Sequence, residues 1–196
     1  MILAEEIRHL ADGPRPGEDP TGAGLVAVVA ECGPPASEVL DRVREVLLAV
    51  DRTAQHGWPA DDAVWRTELP AWFVAFCAPE ETPEEAARWL AWWRGLEPEA
   101  RAREAAARPW SVADWIHWME PSERQWYWWH GRAVQDQLLH VTLQVQGWPF
   151  PTGALEWLLT AAGATSTRIE DPVADTVSYP RPTPGRRSPD GRPGTR

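Results

Sequence analysis

The period of the apolar residues changes from about 3.6 to 2 near residue 124. From Leu139 to Val145 every second residue is apolar and those between are polar, a pattern typical of a half-buried antiparallel strand. The aromatic run RQWYWWHGRAV precedes this segment, and QDQ at 135–137 lies between them. We therefore predict a β-hairpin over about 125–147, with TSTRIE at 165–170 as a third strand that returns to it.

Helical periods dominate the chain before this point. Ser37 is a good N-cap for a helix whose apolar residues share one face. Thr82 and Glu85 form a capping box ahead of a second helix, whose apolar stripe includes Trp89 and Trp93. We expect these two tryptophans in the core, and Trp92, which lies off the stripe, at the surface.

Three further segments complete the pattern. An alanine-rich, polar helix is predicted at 98–109, and Ser111 with Asp114 begins a short helix that carries Trp118 off its apolar stripe. The segments 24–32 and 68–77 are apolar throughout, so their periodicity leaves strand and helix open, with a slight preference for helix in the second.

These elements predict an α+β protein. A mainly helical N-terminal half packs on a small antiparallel sheet, the hairpin at about 125–147, and a C-terminal helix at about 152–163 closes the core. Residues 1–20 are interpreted as a loosely attached helix and linker, and 21–171 as a single globular domain. The Pro-, Arg- and Gly-rich residues 172–196 have no apolar period and are predicted to be disordered.

The charge of the chain narrows the choice of partner. The formal net charge is −10, and residues 1–180 contain 28 acidic residues against 14 Arg. An acidic surface repels phosphates and anionic lipids, so we predict a protein partner, preferably a basic one, with no nucleic acid and no membrane. The N-terminal residues contain no long apolar core, so we expect a cytoplasmic protein. All nineteen basic residues are Arg, which is typical of a GC-rich bacterial genome.

The register of the predicted hairpin decides where its aromatic residues lie. If opposed residues sum to 272, Trp126, Trp128 and His130 share a polar face with His140 and Gln144. Two interpretations remain open. Either a helix or loop covers this face, or these five residues form a contact patch for a protein partner, since Trp dominates binding hot spots.

No motif for catalysis, a metal or a cofactor is recognisable in the sequence, and no cofactor is predicted. We therefore expect a non-catalytic protein-binding module. Its acidic composition suits an immunity or antitoxin-like partner of a basic toxin, although no motif marks that class. The alternative is an enzyme or small-ligand-binding protein that uses His130, His140 and Asp114. A further hypothesis is that YPRPTP at 179–184 docks into an aromatic groove of its own chain.

Overall fold

Four antiparallel strands form one sheet in a computed structural model that describes residues 3–20 and 24–170. The predicted disordered tail lies outside these residues. The strands are β1 (Gly24–Cys32), β2 (Trp126–Gln135), β3 (Leu138–Val145) and β4 (Ala164–Glu170), in the order β2-β3-β1-β4. The predicted hairpin is therefore confirmed as β2–β3. The prediction that the last strand returns to the hairpin is wrong, because β4 pairs with β1.

Eight helices are described around this sheet, and the α+β prediction is confirmed. They are α1 (Leu3–Asp12), α2 (Ala36–Ala54), α3 (Asp62–Glu68), α4 (Ala71–Phe76), α5 (Pro83–Arg94), α6 (Pro98–Ala107), α7 (Val112–Met119) and α8 (Gly153–Ala162). The two segments that periodicity left open are the strand β1 and, within 68–77, the short helix α4. No helix in the described ranges has the length and apolar content needed to cross a bilayer.

Local side-chain chemistry sets several helix ends. The capping boxes at Thr82 with Glu85 and at Ser111 with Asp114 are both formed, so the starts of α5 and α7 are confirmed. Gly163 ends α8 at φ 119°, a backbone conformation that favours glycine. The predicted N-cap at Ser37 is wrong, because α2 begins one residue earlier after Pro35.

The core lies between the sheet and helices α2 and α8, which pack on one of its faces. Apolar side chains of α2, β1, β3 and α8 fill this space, and α7 and α3 add large aromatic rings at its edge. The largest fully buried side chains are Trp65, Trp115, Trp126, Trp128 and Phe73. Complete burial of a large apolar side chain stabilises the fold by about 1.5–3 kcal/mol, so these rings contribute much of the stability.

A β-bulge in β2 corrects the predicted register. His130 is opposite Thr142, as a sum of 272 requires, but Trp128 is opposite Leu143, so the register shifts by one at Trp129. A shift of one residue moves side chains to the opposite face of a sheet. The prediction that Trp126 and Trp128 lie on the polar face is therefore wrong, and both point into the core.

Gly131 provides the space that the Trp128 ring occupies. A Cβ at position 131 would lie 2.4 Å from Cζ2 of Trp128 and 2.7 Å from Cδ1 of Leu40 in α2. Real side chains do not approach so closely, and both neighbours belong to the packed core. A residue without a side chain is therefore required at this position.

Helix α1 is docked firmly on the edge strand β2, so the prediction of a loosely attached helix is wrong. Glu6, His9 and Leu10 of α1 are buried. A carboxylate oxygen of Glu6 accepts a hydrogen bond of 2.6 Å from the backbone N–H of Trp128. This contact satisfies a donor at the outer edge of β2, where an unpaired strand would be open to other chains.

A buried ion cluster fixes α1 to the rest of the fold. The Arg124 guanidinium donates to Glu6 at 2.5 Å and to Asp51 of α2 at 3.3 Å. Burial raises the pKa of the Glu6 carboxyl. Burial also raises the pKa of Asp51, to about 8; the charge of Glu6 raises it further and that of Arg124 opposes the rise. One guanidinium balances one carboxylate, so Asp51 keeps its proton near neutral pH.

Candidate partner-binding surface

The residues predicted as a contact patch do not form an exposed surface. Trp126 and Trp128 are 1% and 0% exposed, and Gln144 is also buried. His130 and His140 are half-buried on the other face of the sheet. The five residues therefore do not lie together on one exposed face, and of them only the two histidines are more than slightly exposed.

Of the three residues of the enzyme alternative, His130 and His140 are diagonal neighbours in the β2–β3 ladder, whereas Asp114 lies elsewhere. Asp114 caps α7 and lines a cavity of about 330 Å³ together with His117 and Glu80. Neither His130 nor His140 lines that cavity. The pKa of His130 is lowered, first by burial and then by the positive charges of Arg44 and Arg132 and by His9. This imidazole is therefore neutral at physiological pH. The described residues contain no group of three or more His, Cys, Asp or Glu that could hold a metal ion.

Helices α5 and α6 form a helical hairpin (83–107) that leaves the body of the protein and returns to it. The base of this hairpin is closed where Ala78 donates a backbone hydrogen bond of 2.9 Å to Trp110 and forms a bridge with Ser111. Glu80 strengthens the base, since it pairs with Arg66 at 2.9 Å and accepts from the N–H of Ala113 at 3.1 Å. The hairpin is therefore held at a defined position while its length projects from the fold.

None of the twelve residues of α5 is buried, although the helix contains three Trp. The prediction that Trp89 and Trp93 are core residues is wrong. Their rings stack on each other at 5.9 Å, and the guanidinium groups of Arg108 and Arg101 lie over them at 4.1 Å and 5.6 Å. The apolar stripe was identified correctly from its period, but arginine side chains from the α6 side cover it instead of a core.

Large apolar side chains are also exposed on the α5–α6 hairpin, among its charged residues. Trp92 is 50% exposed and Leu90 36%, which confirms the surface position predicted for Trp92. The hairpin also exposes several alanines: Ala86, Ala87, Ala91, Ala102, Ala105 and Ala107. Leu90 and Trp92 are two positions apart, so they lie on different sides of α5, and each is a large apolar side chain exposed on this helix. Two short helices that bury none of their described residues are marginal in isolation.

A second open surface is an aromatic groove on the body, with a volume of about 160 Å³. It is lined by three tryptophans and by smaller or polar residues: Trp110, Trp118, Trp126, Glu123, Gln125, Pro151, Gly153 and Ala154. Trp118 is 38% exposed, which confirms its predicted surface position, and it also lines the neighbouring cavity of about 330 Å³.

The groove has a rigid frame and an acidic rim. Trp110 also stacks on Trp157, with ring centroids 6.1 Å apart and planes 14° from parallel. A Cβ at Gly153 would lie 3.1 Å from the Trp110 ring, so the ring rests directly on the start of α8. The Glu123 carboxylate makes no ion pair with any residue in the described ranges.

Comparisons of this chain with protein-family models, with curated proteins and with solved structures find no match. The surfaces of the protein itself are therefore the basis for proposing a function.

Proposed function

We propose that this protein is a protein-binding module whose contact surface is the α5–α6 hairpin. The observation that carries the proposal is that α5 contains Trp89, Leu90, Trp92 and Trp93 and buries none of them. The molecule already buries other tryptophans fully in its core, so an additional apolar surface on a projecting element is best explained by a partner that covers it.

The chemistry of the hairpin indicates what the partner presents. Exposed alanines beside Trp92 and Leu90 allow a helix to approach closely, and two antiparallel helices are half of a four-helix bundle. Residues 83–107 contain five Glu and four Arg, so this surface is nearly neutral within an acidic protein. The partner therefore presents an apolar helical face, and the acidic body favours basic residues around it.

A pair of matched variants tests the proposal. Leu90→Ala/Trp92→Ala removes the exposed apolar side chains of the hairpin, whereas Trp148→Ala removes a tryptophan of similar exposure, 53%, from the body. Wild type and both variants are used to capture proteins from the organism that encodes this chain. Thermal unfolding confirms that all three are folded.

We expect one partner in stoichiometric amount with wild type and with Trp148→Ala, and a loss of at least about tenfold in affinity with the hairpin variant, since hot-spot residues contribute 2 kcal/mol or more. Equal capture by all three proteins would contradict the hairpin as the contact surface. Sedimentation velocity of purified wild type identifies the case in which the partner is a second copy.

A further inference from the structure

We propose that the aromatic groove binds the segment Tyr179–Arg187 (YPRPTPGRR) of this same chain, with prolines against the tryptophan faces and arginines toward the acidic rim. This site is separate from the α5–α6 hairpin and does not depend on its role. Three independent observations support it: the shape of the groove, its charge, and the position at which the described fold ends.

The shape of the groove suits a proline ring. Its volume of about 160 Å³ corresponds to about five water molecules at roughly 30 Å³ each, which is enough to hold a proline ring. Flat indole faces at Trp110 and Trp118 are the surfaces on which proline-rich segments dock in a polyproline II conformation. That conformation loses little entropy on binding, because the proline rings already restrict the chain.

The charge of the groove suits a nearby arginine. Glu123 carries a carboxylate without an ion-pair partner in the described ranges. The adjoining cavity, which Trp118 also lines, contains Glu80, Glu81 and Asp114. Glu80 is paired with Arg66 and Glu81 with Arg108, and Asp114 is bonded in its capping box. Glu123 is therefore the acid of this surface that neither an ion pair nor a helix cap in the described ranges engages. Residues 179–187 contain three Arg and no acid, so the segment and the surface have opposite charges.

The sheet topology brings the segment within reach. β4 ends at Glu170, which pairs with Ala27, and β1, β3 and β2 continue the ladder to the edge of the sheet that carries Trp126. Crossing the sheet from β4 to β2 takes three strand spacings, about 14 Å. Trp126 then lies about 13 Å farther along β2 from the residue at which this line of pairs reaches β2. The nine residues from Glu170 to Tyr179 span up to about 30 Å, more than the diagonal of about 20 Å.

The experiment uses the full chain labelled with 5-fluorotryptophan, whose ¹⁹F signals are assigned by single Trp→Phe variants. The tail variant Pro180→Ala/Arg181→Ala/Pro182→Ala is compared with wild type, and Arg192→Ala/Pro193→Ala is the matched control within the tail. We expect the signals of Trp110 and Trp118 to shift only in the first variant, while the Trp92 signal stays in place. Unchanged groove signals would overturn the proposal.

A synthetic peptide of residues 177–187 provides the second arm. Added to the tail variant, it restores the wild-type positions of the groove signals, and Trp118→Ala in that variant abolishes this effect while Trp92→Ala does not. A tethered segment is present at millimolar effective concentration, so the peptide binds wild type at least about tenfold more weakly than the tail variant. Equal peptide affinity for both proteins, or wild-type groove signals that change on dilution, would exclude the chain's own segment as the occupant.

Discussion

Trp128 and Trp92 are the same residue type in two regions with different surroundings. Trp128 is fully buried, its ring lies over Gly131, and its backbone N–H is bound by Glu6. Trp92 is half exposed on a helix that buries no residue. The core around Trp128 therefore has no space for a further methyl group, whereas the α5–α6 hairpin carries apolar area that its own fold does not bury. This difference separates residues kept for stability from residues available for contact.

The largest difference in stability is expected when a tryptophan is replaced by alanine in each region. Trp128→Ala leaves a cavity in the core and is expected to lower the free energy of unfolding by about 3–5 kcal/mol. Trp92→Ala removes a half-exposed ring and is expected to change it by less than about 0.5 kcal/mol. Urea denaturation measures both values. Similar losses in the two variants would show that the hairpin is part of the stabilising core.

A smaller effect is expected from adding one methyl group to the core. Gly131→Ala places a Cβ against Trp128 and Leu40, and overpacking of this kind costs about 1–3 kcal/mol. Gly147→Ala is the matched control, because nothing lies within 4 Å of a Cβ at that position, and it should be neutral within about 0.5 kcal/mol. If Gly131→Ala unfolds at the same urea concentration as wild type, the close packing of Trp128 is wrong.

The pH dependence of stability tests the buried ion cluster of the body. Burial raises the pKa of Asp51 from 3.8 to about 8, so between about pH 4 and pH 8 the unfolded chain loses a proton that the folded protein keeps. The free energy of unfolding therefore falls as the pH rises through this window and levels off above it. Asp51→Asn should reduce this slope, so its stability relative to that of wild type should rise with pH between about pH 4 and pH 8.

Asp41→Asn on the exposed side of the same helix is the control for this measurement. It should leave the slope as in wild type, as urea denaturation at several pH values will show. A slope that Asp51→Asn leaves unchanged would mean that Asp51 is ionised in the folded protein.

The smallest effect is expected when an arginine that lies over a tryptophan ring of the hairpin is replaced. Arg108→Gln removes a guanidinium that lies 4.1 Å from the centre of the Trp89 ring, a contact that contributes about 0.5–1 kcal/mol. Hydrogen exchange should show faster opening of residues 83–107, with no change in α2. Equal changes in both helices would indicate that the hairpin and the body unfold as one unit.

Local signals in the sequence predicted the local structure well. The capping boxes at Thr82 and Ser111, the end of α8 at Gly163 and the alternation along β3 depend on residues only a few positions apart, and all are formed. The α+β class followed from these elements. The site was harder to predict, because exposure depends on which surfaces meet across the fold.

Three features show what periodicity omits. The bulge at Trp129 adds one residue to β2 and reverses the faces of the tryptophans before it, yet nothing in an aromatic run marks its position. The apolar stripe of α5 was recognised, but a period does not reveal whether a core or two arginines will cover it. The burial of Glu6 was not predictable either, since its partner Arg124 lies 118 residues away.

The distance along the chain between α1 and its docking site also has a consequence during synthesis. Glu6 and Trp128 are 122 residues apart, so at about 5–20 residues per second roughly 6 to 25 seconds pass between their emergence from the ribosome. During this interval the amphipathic helix has no strand on which to dock. The edge of β2 is covered by a helix made long before it, so α1 cannot reach its final place until β2 has been made.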